Sequence, residues 1–298
     1  MRKNNQKYDY EQLFTEPQTE QISLDNHLES IRDKSVWKYK TKTITSGKIR
    51  EVEIYPIFKK TKGAGGALDH IGNPSSQAQI VYNCKRKQKH VARLLNANFT
   101  SLDIWMTLTY DFDNLPKDAH QAQKDIRNYI KRLRAYIKKH GGDELDIADF
   151  KYLYVTETSD GQDNQTRCHH HIIMNFKDRD IAEKLWGKGR TQARRLQPDE
   201  RGLEGLARYI MKTKKYATKK YAPSKNLSQP KITTSEYKTT KTKASNIAKD
   251  LDEAAIIMEK DNKGWLCNDV TVMQSHFVSG VYIYVRMRAK DARRGRGG

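Results

Sequence analysis

The chain has 298 residues, of which 36% are hydrophobic and 31% are charged, and its formal net charge is +20. This length fits one large domain with elaborations or two modest domains. The positive charge predicts a polyanionic partner, with nucleic acid favoured over an anionic membrane surface. A membrane partner is disfavoured because no apolar run approaches the length of about 18 residues that a spanning helix needs.

The cysteines and the first residues bear on the compartment. Cys84, Cys168 and Cys267 are widely spaced and odd in number, which indicates neither a disulfide framework nor a zinc knuckle. The first residues lack the apolar core of a secretory signal. We therefore expect an intracellular protein with reduced cysteines.

The first third of the chain predicts a polar segment, a hairpin and a basic helix. Residues 1–34 are polar and predict a weakly ordered segment. Alternating apolar residues over 36–58 predict two strands that turn at Ser46 and Gly47. Residues 77–95 predict a helix with a basic run, for which phosphate contact and a solvated helix face are equally open readings.

The middle of the chain alternates strands and helices. Residues 104–110 (IWMTLTY) predict a central strand, and residues 119–140 predict an amphipathic helix with a basic outer side. Residues 152–156 predict a strand that ends at Glu157 and turns through a Gly- and Asn-containing loop. The β-branched run after the histidines of 167–176 (RCHHHIIMNF) predicts the returning strand.

This hairpin carries a candidate metal site. On a strand, alternate side chains share a face, so His169 and His171 point the same way and His170 points the other. Antiparallel pairing would bring Glu157 beside them as a hard oxygen ligand. Taken alone, the pattern leaves a metal site and a merely polar strand end equally open.

The last part of the chain predicts helices over 180–186, 202–217 and 244–260 and two strands within 271–287. On the second helix, Tyr209, Lys212 and Tyr216 are spaced to share one stripe beside the apolar face. Gly202 and Gly205 precede them on that stripe and leave it bare, as close approach of a ligand or backbone would require. The order of elements predicts an α+β sheet with helices on one side.

In chain order and spacing, these motifs resemble the HUH endonucleases, and most closely the rolling-circle replication initiators of bacterial plasmids and phages. The resemblance rests on WMTLTY, on Glu157 with the three histidines, and on Tyr209 with Lys212, and it covers about residues 77–233. It implies a ferredoxin-like antiparallel central sheet with helices packed on it. It also implies a divalent metal, Mg²⁺ or Mn²⁺, and single-stranded DNA at a replication origin as the partner.

The resemblance also assigns roles to residues. His169 and His171 match the metal-binding histidines and Glu157 the acidic third ligand, whereas Tyr209 matches the nucleophile and Lys212 the accompanying lysine. His170 takes a slot usually filled by a bulky apolar residue, so leucine should be tolerated there. Tyr216 lies two helical turns after Tyr209, whereas members with two catalytic tyrosines commonly space them about one turn apart, which leaves its second catalytic role open.

The activity implied is nicking and rejoining of one DNA strand through a 5′-phosphotyrosine, in the cytoplasm of a bacterial cell with host helicase and DNA polymerase. Alternatives are a transposase or relaxase of the same superfamily, a non-catalytic nucleic-acid-binding protein, and a hydrolytic metalloenzyme. Helicase coupling within the chain is disfavoured because no phosphate-loop motif occurs. The expected organisation is a weakly ordered segment (1–34), a hairpin and basic helix (35–95), a nuclease core (96–233), a C-terminal helix and hairpin packing on the core (234–287), and a basic tail (288–298).

Overall fold

The structure is a computed structural model that describes residues 31–58, 76–140, 145–157, 167–212, 221–274 and 279–290, without the side chains of 76–81. Within these ranges the chain forms two antiparallel five-stranded sheets and six helices, which confirms the predicted α+β class. The elements in chain order are β1 (Val36–Ser46), β2 (Ile49–Phe58), α1 (Ser76–Asn98), β3 (Ile104–Thr109), α2 (Ala119–His140), β4 (Tyr152–Glu157), β5 (His169–Met174), α3 (Arg179–Lys184), β6 (Thr191–Arg195), α4 (Glu204–Ile210), β7 (Tyr221–Pro223), β8 (Lys231–Ser235), α5 (Lys241–Lys249), α6 (Leu251–Asp261), β9 (Trp265–Gln274) and β10 (Val281–Ala289).

The chain divides into two compact units. The first unit takes its described residues from Met1–Pro74 and Pro230–Gly298, and the second takes them from Ser75–Gln229. The sequence-based organisation drew these boundaries differently. It grouped the basic helix with the first hairpin, whereas α1 belongs to the second unit, and it packed the C-terminal hairpin on the nuclease core, whereas β10 pairs with β2. The polar segment and the basic tail predicted at the two ends lie mostly outside the described residues.

The second unit is built on a sheet of order β6-β3-β5-β4-β7, with the histidine strand β5 at its centre. Helices were expected on one side of this sheet, but they cover both. Alternate residues of β3 explain this, because Ile104 and Met106 are buried in a core with α2 and α3, while Trp105 packs against a second core with α1 and α4.

The first unit is a sheet of order β8-β1-β2-β10-β9 with α5 and α6 packed on one face. The apolar residues of β2 and β10, such as Val52 and Ile283, are fully buried against Ile247 and Met258 of the helices. Burial of this kind stabilises a sheet by about 25 cal/mol per Å² of apolar surface removed from water.

Two predicted helices have different bounds in the structure. The helix predicted over 244–260 is two helices, because Asp250 adopts an extended backbone and accepts hydrogen bonds from the amides of Asp252 and Glu253 as the N-cap of α6. The helix predicted over 202–217 is α4, which ends at Ile210 with Met211 as its C-cap. Residues 213–217 lie outside the described ranges.

Three short strands, β6, β7 and β8, were not foreseen, because their three to five residues carry no alternation of apolar side chains. Each lies at the edge of its sheet. None of the helices in the described ranges has the length and apolar character needed to cross a membrane.

Candidate metal and tyrosine site

The pairing of β4 with β5 assembles the candidate metal ligands. Glu157 lies opposite His169 in the register of the two strands, and Val155 lies opposite His171. The carboxylate of Glu157 and one ring nitrogen of each histidine all lie within 4.8 Å of one another. The structure therefore brings together the three residues that the sequence pattern singled out as metal ligands.

The hydrogen bonds of the two histidines orient their rings. His169 donates from Nδ1 to the carbonyl oxygen of Arg167 at 2.9 Å, so in the neutral ring the lone pair is on Nε2. That atom lies 3.5 Å from Oε2 of Glu157. Nδ1 of His171 pairs with Oγ1 of Thr107 at 3.2 Å, across the β3–β5 ladder. Hydrogen bonds of this kind fix imidazole ligands around metals.

The donor set indicates which ions fit. Two imidazole nitrogens and one carboxylate form a borderline set, which suits divalent ions that accept nitrogen as well as oxygen ligands. His171 is buried, whereas His169 and Glu157 are half-buried, so an ion held by them would keep positions open for other ligands. The group can therefore hold a divalent metal.

His170 faces the opposite side of the sheet, as the alternation predicts. Its ring is fully buried, with Nε2 2.8 Å from the hydroxyl of Tyr110 and Nδ1 2.9 Å from Oγ1 of Thr156. Burial lowers the pKa of His170 to about 3, and the neighbouring His169 and His171 contribute to this lowering. The neutral ring therefore links β5 to both neighbouring strands between the two candidate ligands.

Tyr209 lies next to this group. Its ring contacts the imidazole of His171 with centroids 5.4 Å apart and the indole of Trp105 with centroids 5.6 Å apart, both in edge-to-face arrangements. The side chain is 55% exposed, so the phenol is reachable from solvent. The structure therefore joins the predicted nucleophile to the predicted metal site.

The helix that carries Tyr209 is anchored at its start. The amide of Leu203 donates to Oδ1 of Asn96 in α1 at 2.7 Å, and Ala207 and Ile210 are buried beneath the helix. Gly202 does not lie on the tyrosine stripe. It precedes the helix with φ at +69°, exchanging two backbone hydrogen bonds with Asp199 in a tight turn that favours glycine.

The remaining predicted site residues are placed less closely. Lys212 is exposed and follows the C-cap of α4, so it does not continue the helical stripe of Tyr209. The helix stops there because its buried apolar residues end at Met211 and a run of lysines follows. Tyr216 lies outside the described residues.

Several residues of the site were missed by sequence reasoning. Trp105 and Thr107 alternate along β3 and face the site, where they contact Tyr209 and His171 respectively. The spacing of WMTLTY could have identified them, because residues two apart on a strand share a face. Which face they share follows only from the pairing of β3 with β5.

A tight backbone approach closes the end of β3. The carbonyl oxygen of Thr109 accepts a hydrogen bond from Nε1 of Trp186 at 2.7 Å, and the amide of Asp111 donates to the carbonyl of Lys188 at 3.0 Å. A Cβ on Gly189, whose φ is +149°, would lie 2.4 Å from the amide nitrogen of Asp111. Glycine is therefore required where this loop meets the strand.

Comparison with known proteins gives a family for this domain. Residues 103–221 match a family model whose description begins "Replication-associated protein ORF2". Searches of curated proteins and of solved structures gave no match. The matched range begins just before β3 and ends at β7, so it contains the candidate metal group and Tyr209. The chain thus carries, over residues 103–221, the domain of a rolling-circle replication initiator family, with which the HUH resemblance is consistent.

Proposed function

We propose that this protein nicks and rejoins one strand of DNA at a replication origin, using Tyr209 as the nucleophile. One observation carries the proposal: the exposed phenol of Tyr209 packs against His171, one of three side chains that can hold a metal ion. A non-catalytic DNA-binding protein would have no use for this juxtaposition. A hydrolytic metalloenzyme would have no use for Tyr209.

The chemistry of the phenol follows from where it lies. In our proposal, the oxygen of Tyr209 forms a bond to phosphorus, and the bond from phosphorus to the 3′ oxygen breaks. The phenolic proton is lost and the leaving 3′ oxygen takes up a proton, which yields a 5′-phosphotyrosine and a free 3′-OH. One phosphate ester replaces another, so the bond energy is kept for rejoining the strand.

The side chains around the phenol would assist in different ways. Trp105 and His171 limit the positions that the ring of Tyr209 can take, which favours an attack geometry set before DNA binds. Lys212 follows three residues later, and we propose that its ammonium stabilises negative charge on the phenol oxygen or the phosphate. Tyr216 is a candidate for a second transfer step.

Glu157, His169 and His171 would hold Mg²⁺ or Mn²⁺. When bound, the ion supplies positive charge to the phosphate oxygens and orients the scissile bond. Because two of the three donors are nitrogen atoms, and magnesium alone favours oxygen, we expect Mn²⁺ to support activity at least as well in vitro. The 3′-OH product would serve a host DNA polymerase, and a host helicase would supply single-stranded template.

A covalent adduct tests the proposal. The full-length protein is incubated with 5′-side- and 3′-side-labelled single-stranded origin DNA and Mn²⁺, then denatured and separated by size. We expect label from the 3′ side of the nick to migrate with the protein, and peptide mass spectrometry to find the nucleotide on Tyr209. Cleavage to a free 5′-phosphate without an adduct would support a hydrolytic enzyme instead. Binding without cleavage would support a non-catalytic protein.

A further inference from the structure

The first unit, which lies outside the range matched by the replication family, contains a basic cleft of about 470 Å³. Strands β1, β2 and β8 form one wall of the cleft, and the segment that follows α6 forms another. Of the described residues that line it, four are cationic and one is acidic. The cationic residues, which define the basic cleft, are Arg50, Lys231, Lys238 and Lys263.

The register of the strands explains why these side chains converge. Lys231 on β8 and Arg50 on β2 both lie opposite Thr45 on β1, so the three side chains form one row across the sheet. In the next row of the same face, Thr233 lies opposite Thr43. Cross-strand neighbours of this kind have Cβ atoms about 5 Å apart. The wall of the cleft therefore presents two cations and three hydroxyls in two adjacent rows.

The cations are brought together with little compensating negative charge. Arg50 Nη1 and Lys238 Nζ both donate to the same acceptor, Oδ1 of the buried Asn262, at 3.4 Å each. The acidic residue of the cleft, Asp261, is already paired with Lys243. Two like charges that share one neutral amide oxygen repel each other, and an anion placed between them would relieve that repulsion.

The environment of these groups supports an anion as the ligand. Burial lowers the pKa of Lys238, which the Asp261 carboxylate opposes and the Arg50 guanidinium reinforces. The Arg50 guanidinium stacks on the ring of Trp265 with 4.1 Å to the centroid, and its Nε donates to Oγ1 of Thr45 at 3.2 Å. These contacts hold the guanidinium rigidly, which lowers the entropic cost of binding a phosphate.

We propose that the basic cleft binds a phosphate group of the DNA backbone, giving the first unit its own contact with nucleic acid. The identity of the ligand as DNA rests on the proposed function, whereas the anionic chemistry rests on the cleft alone. Threonine hydroxyls, lysine ammonium groups and an arginine guanidinium are the groups that contact phosphate oxygens without reading base sequence. The contact is therefore expected on DNA of any sequence.

The experiment measures DNA affinity against salt without cleavage. The full-length protein, kept in chelator, binds a labelled single-stranded oligonucleotide of mixed sequence at several salt concentrations. Lys231→Gln and Lys238→Gln each remove one cleft charge, and Lys249→Gln removes one charge from an exposed position on α5 of the same unit. We expect each cleft variant to reduce the slope of log affinity against log salt by about one. The Lys249→Gln variant should leave the slope unchanged.

Two further arms keep the outcome clear. Lys231 is exposed, so its replacement preserves the fold even if Lys238→Gln does not, and Lys238→Arg should restore the wild-type slope. Cleft variants that match Lys249→Gln overturn the proposal. Variants that lose binding of inorganic phosphate but keep the wild-type DNA slope overturn it as well, because they indicate a small-anion pocket. Neither readout uses adduct formation, so failure of the cleft proposal and failure of the nicking proposal are distinguishable.

Discussion

The ring of Tyr209 meets the imidazole of His171 edge to face, with the centroids 5.4 Å apart and the planes at 66°. The tyrosine comes from the short helix α4 and the histidine from the central strand β5. The contact joins two sequence motifs that lie more than thirty residues apart, as their numbers show. Tyrosine and metal ligands therefore form one local arrangement, in which each part can be perturbed separately.

Removal of either histidine ligand should abolish metal binding. Replacing His169 or His171 by alanine deletes one of three donors that lie within 4.8 Å of one another. Titration of each variant with Mn²⁺, followed by calorimetry, should show no binding, and adduct formation should be lost. DNA binding in chelator should remain close to wild type. Retained Mn²⁺ binding in His169→Ala together with its loss in His170→Leu would mean that the ligands are assigned in the wrong register.

His170→Leu should destabilise the fold while leaving the metal site intact. The sequence alone predicts that leucine is tolerated, but the buried ring bonds to Tyr110 and Thr156, and leucine can make neither hydrogen bond. The loss should lower the free energy of unfolding by roughly 1–3 kcal/mol, measured by denaturant titration. Mn²⁺ affinity should stay near wild type. An unchanged unfolding midpoint would show that these hydrogen bonds contribute nothing net.

Tyr209→Phe should abolish the covalent adduct without affecting the fold or DNA binding. Phenylalanine keeps the edge-to-face contacts with Trp105 and His171, since these are made by the rings and not by the hydroxyl. The Tyr216→Phe variant is the matched control and should still nick at a single site. An adduct that persists in Tyr209→Phe and disappears in Tyr216→Phe would assign the nucleophile to the second tyrosine.

Trp105→Ala should slow adduct formation more than it weakens DNA binding. Aromatic pairs contribute about 0.5–1.5 kcal/mol beyond their burial, so loss of the indole edge should free the ring of Tyr209 and reduce the rate several-fold. Trp105→Phe should recover part of the rate. The exposed Trp37 offers a control, because Trp37→Ala removes an indole from the other unit. Equal rates in Trp105→Ala and Trp37→Ala would exclude a positioning role for Trp105.

Gly189→Ala should be strongly destabilising. Its backbone has φ at +149°, and an added Cβ would lie 2.4 Å from the Asp111 amide, so the loop would have to move off the end of β3. A cost of about 1–3 kcal/mol is expected from the backbone conformation alone. Gly205 provides the contrast, since an added Cβ there meets nothing within 4 Å and alanine favours a helix by about 0.5–1 kcal/mol. Thermal unfolding should therefore move in opposite directions for the two variants.

The sequence predicts the elements whose residues repeat with a clear period. The amphipathic α2 and the strands β3, β4 and β5 lie where the periodicity placed them, and the two-residue repeat of the histidines correctly separates His170 from its neighbours. The metal group follows from one further assumption, that the strands pair with Glu157 opposite His169. That pairing was the natural consequence of a short connection between antiparallel strands.

Other features depend on contacts between distant parts of the chain. The packing of Trp105 against Tyr209 requires that α4 cross the face of β3, which no local pattern encodes. The end of α4 at Ile210 reflects the limit of its buried residues, whereas helical spacing alone continued it to Ala217. The basic cleft is less visible still, since Arg50 and Lys231 become neighbours only through the shared strand β1.

The order of strands in the first unit also bears on how the protein is made. Strand β2 pairs with β10, whose residues follow it by more than two hundred positions, while the second unit is one uninterrupted stretch. During synthesis, which adds about 5–20 residues per second, the second unit emerges whole while β1 and β2 still await their partners. The first sheet must therefore close late, through long-range pairings that form slowly. Until then the unpaired edge of β2 is the part of the nascent chain most exposed to mispairing with another copy.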